Sequence, residues 1–351
     1  MMKKTVAILV VILLLTLCFV ACNEKPDTSN AKSTYIRVDE DTVLFGVYPQ
    51  SDVTDATLKD TLNNLAGELP TSGSHKNWTS YGYYISGEKQ DYMWYIDIEE
   101  GGEKYRGVYF TSYRPSSFDA GSSEEESDLF QSYNGYLLNV VYWFKFDPVS
   151  WTILEEKDGT AIIICDMVID SQAYQTEYSY VEVNNETIFY NTTEGVPNGT
   201  YANNYAYSTI RRWLNDTFYN TAFNNADKGI ILTTTVDNSA ESTAINPNKY
   251  VCENTEDKIY LLSYQEAKTY FSYNDRYVGE PKECKKSTAY AQAQGIVADE
   301  ETDDSSWWLR SPNEDYEFPA VYLTNDYIIG GIPSFYNVYG VVPVLRVSTG
   351  A

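Results

Sequence analysis

Trp151-Thr152-Ile153-Leu154-Glu155-Glu156-Lys157-Asp158-Gly159-Thr160-Ala161-Ile162-Ile163-Ile164-Cys165 is the stretch that decides the fold class. Aromatic and β-branched runs flank Asp158-Gly159, a pair that tolerates the positive φ angles of a tight turn, so the stretch reads as a hairpin. Ala161 to Cys165 is continuously apolar, a buried-strand pattern in which Cys165 is a small core hydrophobe.

Working upstream, Thr42 to Gln50 reads as a strand ended by Pro49. Asp55 to Ala66 carries Leu58, Leu62 and Leu65 at helical spacing, with Gly67 as C-cap. Tyr81 to Ile85, Tyr92 to Ile98, Tyr105 to Tyr113 and Tyr142 to Leu154 read as aromatic strands, and Ser116 to Ser127 as a solvated loop. Downstream, Ser171 to Ala206 is polar and rich in Tyr, Asn and Thr, the pattern of a long loop or edge hairpin.

Three helices follow. The first starts at the N-cap Ser208, with Ile210, Trp213, Leu214 and Phe218 on one face. The second starts at Ser263-Tyr264-Gln265-Glu266, a capping-box spacing after the strand Ile259 to Leu262. The third runs from Thr288 to Gln294 and stops at Gly295. Strands return at Trp307 to Leu309, Ala320 to Leu323 and Val338 to Val347. Strands outnumber helices, the helices lie mid-chain and nothing alternates regularly, which makes the class α+β.

Composition narrows the function. The 351 residues hold 25 basic and 50 acidic side chains, a net charge of −25 that repels a polyanion, so no nucleic-acid partner is expected. A single histidine cannot build a multi-histidine metal site, and 43% hydrophobic residues are too many for a disordered acidic tail. The 33 tyrosines are the informative excess.

Lys3 and Lys4 precede an apolar run from Val6 to Leu15, the form of a secretory signal. Its end, Val20-Ala21-Cys22, resembles the bacterial lipobox, with Phe19 where that motif prefers leucine. The resemblance implies that residues 1–21 are a lipoprotein signal peptide, that Cys22 carries the lipid, and that residues 22–41 are a polar tether. The protein is then held by lipid on the outer face of the cell membrane; an uncleaved membrane anchor is the alternative. Cys252 and Cys284 bracket a loop-helix-loop segment and could pair in an exported protein, the alternative being two free thiols.

Further stretches carry a wider resemblance. They are Phe45-Gly46-Val47-Tyr48-Pro49-Gln50, Arg211-Arg212-Trp213-Leu214-Asn215, Lys258 to Ser263 with Glu266-Ala267, Trp307-Trp308-Leu309-Arg310-Ser311-Pro312 and Gly340 to Leu345. Together they resemble a domain family of exported, mostly Gram-positive bacterial proteins whose function is unassigned. More distantly, their order is similar to the formylglycine-generating-enzyme branch of the C-type-lectin-like fold. That implies a C-type-lectin-like mixed core with mid-chain helices, first strand beside last, so that Phe45 to Tyr48 neighbour Val341 to Val347. Residues 42–50 would be the first core strand, 51–142 a strand-rich insertion or small subdomain, and 143–351 the remainder of the core. Val342 stands where the related pattern has arginine, and no cysteine pair falls where that oxidase needs one, so its activity is not carried over.

No catalytic motif emerges. His75 sits in a turn-rich stretch without a nucleophile elbow, and no Walker or dinucleotide loop opens a helix. No cofactor is expected, although the acidic run Asp299 to Asp304 could hold calcium. What remains is recognition, because tyrosine offers a large contact surface with one polar tip at low entropy cost. The fold expected from the resemblance displays its ligand-facing strands near the C-terminus. There Trp307, Arg310, Tyr322, Tyr327, Phe335, Tyr336 and Tyr339 form the expected ligand surface. The reading is a non-catalytic binding module for glycan or protein; a carboxylate-based hydrolase of cell-wall or extracellular polymer and a structural envelope protein are the alternatives.

Overall fold

The computed structural model describes residues 32–71, 73–85, 88–114, 130–184, 186–243, 249–271, 285–299, 301–313, 319–323, 328–333 and 339–350. Its organising element is the hairpin expected at Asp158-Gly159, whose residues take φ of 52° and 73°. One arm, Tyr142–Lys157, is 16 residues long. Along one edge it pairs with Thr42–Asp52, and along the other with Glu103–Phe110 at its start and Thr160–Cys165 at its end. A strand this long presents side chains to several layers at once, and its aromatic positions Trp143, Phe144 and Trp151 are all buried.

Around it lies a ten-stranded sheet. Its path runs Ile231–Leu232, Val344–Ser348, Thr160–Cys165, Tyr142–Lys157, Glu103–Phe110, Met93–Glu100 and Thr79–Ser80. Ile36–Arg37 and Ile259–Tyr260 add short strands beside Thr42–Asp52 and Val344–Ser348. A five-stranded sheet follows the order Asp170–Ser171, Gly340–Val341, Trp307–Pro312, Pro319–Leu323, Ile328–Pro333. With helices packed mid-chain, the protein is α+β.

Two strand expectations are corrected. The first strand does not stop at Pro49 but continues to Asp52, with a shift of register between Pro49 and Ser51. Beyond Leu44 it pairs only with Tyr142–Lys157 among the described residues, and proline's missing N–H is tolerated on such an edge. The single strand expected over Val338 to Val347 is two. Pro343 lies between Gly340–Val341, in the smaller sheet, and Val344–Ser348, in the larger. First and last strands are consequently not neighbours, because the central hairpin stands between them and Val344–Ser348 pairs with Thr160–Cys165.

The helices follow their local signals. Asp55 caps Ala56–Ala66 and Gly67 closes it at φ 72°. Ser208 accepts from the Arg211 N–H to start Thr209–Trp213, after which one π turn, Leu214–Phe218, leads into Tyr219–Ala222. Ser263 and Glu266 form the expected capping box, each backbone N–H reaching the other side chain at 2.9 and 3.1 Å. Thr288 caps Ala289–Ala293, and Gly295 takes φ 101°.

The main core gathers Phe45, Tyr48, Trp151, Leu214, Phe218, Tyr290, Trp307 and Trp308. Residues 51–142 contribute Met93–Glu100, Glu103–Phe110 and Thr79–Ser80 to the large sheet, and a second small core in which Leu62 and Ala66 meet Trp78, Trp94, Tyr109 and Trp143. No helix among the described residues is long and apolar enough to cross a membrane.

Candidate functional site

Four two-stranded ribbons stand outside both sheets among the described residues, and the longest of them carries the candidate site. Tyr178–Val183 and Glu186–Asn191 form a two-stranded hairpin. Its residues alternate aromatic, β-branched and polar, and Asn184 takes φ 55° in the turn, a conformation asparagine adopts more readily than most residues. Register places Tyr178, Tyr180 and Phe189 on one face, and Val181, Ile188 and Tyr190 on the other.

On the first face, Phe189 meets Tyr180 and Tyr178 with ring centroids 5.7 and 6.0 Å apart. On the second, Tyr190 stacks on Tyr201 at 5.7 Å, and Tyr250 meets Tyr201 edge-on at 5.1 Å. Neither face is covered as a core would be: Tyr180 is 54% exposed, and Val181, Val183 and Tyr207 are exposed too.

The base, by contrast, is fastened. Buried Gln175 accepts from the Thr209 N–H at 3.0 Å and donates to the Glu177 carbonyl and the Thr193 hydroxyl at 2.7 and 3.2 Å. Asn191, also buried, donates to the Tyr207 carbonyl at 3.0 Å. A stapled base under an exposed aromatic tip is what a recognition surface needs, since little ordering entropy remains to be lost on binding.

Most of the ligand surface expected near the C-terminus is placed elsewhere or lies outside the described residues. Trp307 is fully buried, edge-on to Phe271, and Arg310 is fully buried as well. Both were expected to face a ligand, and both are interior instead. Trp307 sits mid-sheet between two partner strands, and Arg310 is drawn inward by the Glu266 carboxylate. Tyr339 is half-buried against Trp308 at 5.0 Å. Tyr322 lies opposite Trp308 in Pro319–Leu323, its side chain outside the described set. Tyr327, Phe335, Tyr336, Cys22 and Cys284 also lie outside the described residues. Cys252 is a free thiol packed against the core, its pKa raised by burial, and burial pushes the Cys165 thiol up to about 12.

The stretches that carried the family resemblance prove to be internal staples. Gly46 sits in a bulge of the first strand, and Tyr48 donates to Asp170 at 2.7 Å. Asn215 clamps the backbone of Lys258 and Ile259 through its amide, accepting at 2.8 and 3.1 Å and donating to the Ile259 carbonyl at 2.8 Å. Arg211 holds fully buried Asp257 at 2.6 Å. Ser311 accepts from the Tyr264 N–H at 2.9 Å. They specify the fold, and the exposed aromatics lie elsewhere.

Asp170 is the buried carboxyl of most chemical interest. Loss of hydration raises its pKa, while hydrogen bonds from Tyr48, Gln172 and the Ser171 N–H oppose the rise. Nearby, Tyr81 and Tyr290 share a hydroxyl contact of 2.9 Å, and Arg106 reaches the Tyr290 hydroxyl at 3.4 Å. Arg106 is itself held by Asp97 at 2.7 and 2.9 Å, which keeps the Asp97 pKa low against the cost of burial. Asp170 is enclosed at 1% exposure, its oxygens already engaged. In the acidic run, Asp299 spends one oxygen on the Glu301 and Thr302 N–H groups. No three His, Cys, Asp or Glu side chains converge as a metal set among the described residues.

Residues 160–349, more than half of the chain, match the model of the family described as Domain of unknown function (DUF6273), and the chain belongs to that family. No curated protein and no solved structure matches it.

Proposed function

We propose that the protein is a non-catalytic binding module for glycan or protein ligands, lipid-anchored at Cys22 on the outer face of the cell membrane. The observation that carries the reading is the aromatic hairpin Tyr178 to Asn191, fixed at its base and exposed at its tip. Exposed apolar and aromatic clusters on an otherwise acidic surface are recognition sites more often than solubility devices. The hydrolase alternative needs two carboxyls converging in a cleft, one with a raised pKa. Asp170 meets the second condition only, being enclosed and without a second carboxylate among its hydrogen-bond partners.

The C-type-lectin-like relation belongs to the same proposal. Its support is the order of the resembling stretches along the chain, and superposing an experimental structure on lectin-like cores tests it.

A binding panel of glycans, cell-wall fractions and envelope proteins, run on the chain from Asn23 onward, tests the function. Binding is expected to fall about tenfold or more in Tyr180→Ala/Phe189→Ala, the range for losing a central aromatic pair. Binding that ignores the double substitution removes the hairpin from the reading, and no binding at all favours the structural role. The anchor has its own test: mass spectrometry of the membrane-extracted protein is expected to find a chain beginning at lipid-modified Cys22. A chain retaining Met1 overturns it.

A further inference from the structure

Hydrogen-bond alternation along the aromatic hairpin leaves one edge open. The Glu177 carbonyl accepts from the Thr192 N–H at 3.0 Å, so Glu177 belongs to a hydrogen-bonded pair. In an antiparallel ladder the pairs alternate, so Ser179, Val181 and Val183 bond inward, and Tyr180 and Glu182 turn their N–H and C=O outward. On the opposite strand two of the outward groups, those nearest the base, are used: the Phe189 carbonyl accepts from Ala202 at 3.1 Å, and the Asn191 N–H donates to Thr200 at 2.8 Å. At Tyr180 and Glu182 no such cover exists among the described residues. An edge of this kind is a template for a further strand.

Charge states what the strand would be. Between Ser171 and Thr209 every charged side chain is acidic: Glu177, Glu182, Glu186 and Glu194. Arg212 answers Glu177 at 3.6 Å and Lys249 lies near Glu186, while Glu182 on the open strand accepts from the Thr187 hydroxyl at 2.6 Å and has no basic partner among the described residues. A second copy would bring the same acids to the edge, within a chain of net charge −25. Like charges facing across a strand pair are destabilising, and opposite ones favourable.

We infer that the open edge at Tyr180 and Glu182 takes an extended, basic segment of a partner protein by strand addition. Main-chain bonds give the affinity, while Glu182 on the Tyr180 face selects basic side chains and exposed Val181 and Val183 on the other face select apolar ones, an alternating pattern. The inference rests on the hairpin being the binding surface and names the partner for it.

The probe is a synthetic peptide alternating lysine with valine, with the glutamate-valine peptide as control, titrated against the chain from Asn23 onward. Tyr180→Thr removes the ring and keeps the outward N–H. Tyr180→Pro removes both, at an outward-facing position where proline leaves the hairpin's own bonds intact. The lysine peptide is expected to bind and the glutamate peptide not to. Affinity in Tyr180→Pro should fall about tenfold below that in Tyr180→Thr, the value of one or two lost hydrogen bonds. Glu182→Lys should weaken binding independently of proline's effect on folding. Equal loss in the threonine and proline variants overturns strand addition and leaves the aromatic surface standing. No binding of the lysine peptide, equal binding of both peptides, or indifference to Glu182→Lys overturns the inference. The panel with Tyr180→Ala/Phe189→Ala then reports separately on the hairpin as a binding surface.

Discussion

Arg310→Ala is expected to cost about 2–4 kcal/mol of folding free energy, below the range for a fully buried ion pair because the Glu266 side chain is 32% exposed. The guanidinium is fully buried. Its Nη1 donates to the Glu266 carboxylate and, at 2.7 Å, to the Leu261 carbonyl. Its Nη2 donates to Glu266 Oε1 and to the Asp237 carbonyl, each at 2.9 Å. One side chain thus ties the five-stranded sheet to the capped helix Tyr264–Phe271 and to the segment around Asp237. Truncation leaves Glu266 without its counter-charge and two carbonyls without donors. Glu266→Gln should be milder, because the amide oxygen still accepts from the Ser263 N–H. A double-mutant cycle by urea denaturation should give coupling of about 1–3 kcal/mol between the two sites. If Arg310→Ala costs less than about 1 kcal/mol, the residue is no staple and its role as a ligand contact reopens.

The second large effect is at Gly46. Its φ is 72°, and an added Cβ would stand 2.7 Å from the Phe223 ring and 2.9 Å from the Ala222 carbonyl oxygen. The ring is buried and the carbonyl is backbone, so neither can withdraw freely. Left-handed backbone costs a residue with a Cβ about 1–2 kcal/mol, and overpacking about 1–3 more. Gly46→Ala should therefore lose about 2–5 kcal/mol in thermal or urea denaturation. Gly101→Ala separates the terms: its φ is 62° with nothing within 4 Å, so it carries the backbone cost alone. Equal losses at the two sites would falsify the packing contribution.

Both positions lie in stretches on which the family resemblance rested, and both act inside the protein. That explains why the family was legible and the site was not. Motifs made of buried glycines, arginines and tryptophans specify a fold, because their neighbours leave them no alternative conformation or partner. The hairpin that displays exposed aromatics, Tyr178 to Asn191, looked from sequence like a polar loop or edge hairpin. The signal available there was alternation of Tyr, Val, Ile and Phe about Asn184-Asn185. Alternation shows which residues share a face, but nothing in it says that neither face meets a core.

The sequence by itself determined the local elements: the Asp158-Gly159 turn, the caps at Ser208, Ser263 and Gly67, the helix starts at Asp55 and Thr288, and the α+β class. These depend on neighbours within a few residues, where φ preferences and side chain-to-backbone bonds decide. Only the tertiary structure decided the strand order and the burial of Trp307 and Arg310. Only there is the hairpin from Tyr178 to Asn191 seen outside both sheets. These depend on partners far along the chain: Glu266 lies 44 residues from Arg310, and Asp170 lies 122 from Tyr48. No local pattern records a contact of that range, because the enrichment of tryptophan and tyrosine in strands does not say whether a given strand meets a core or solvent.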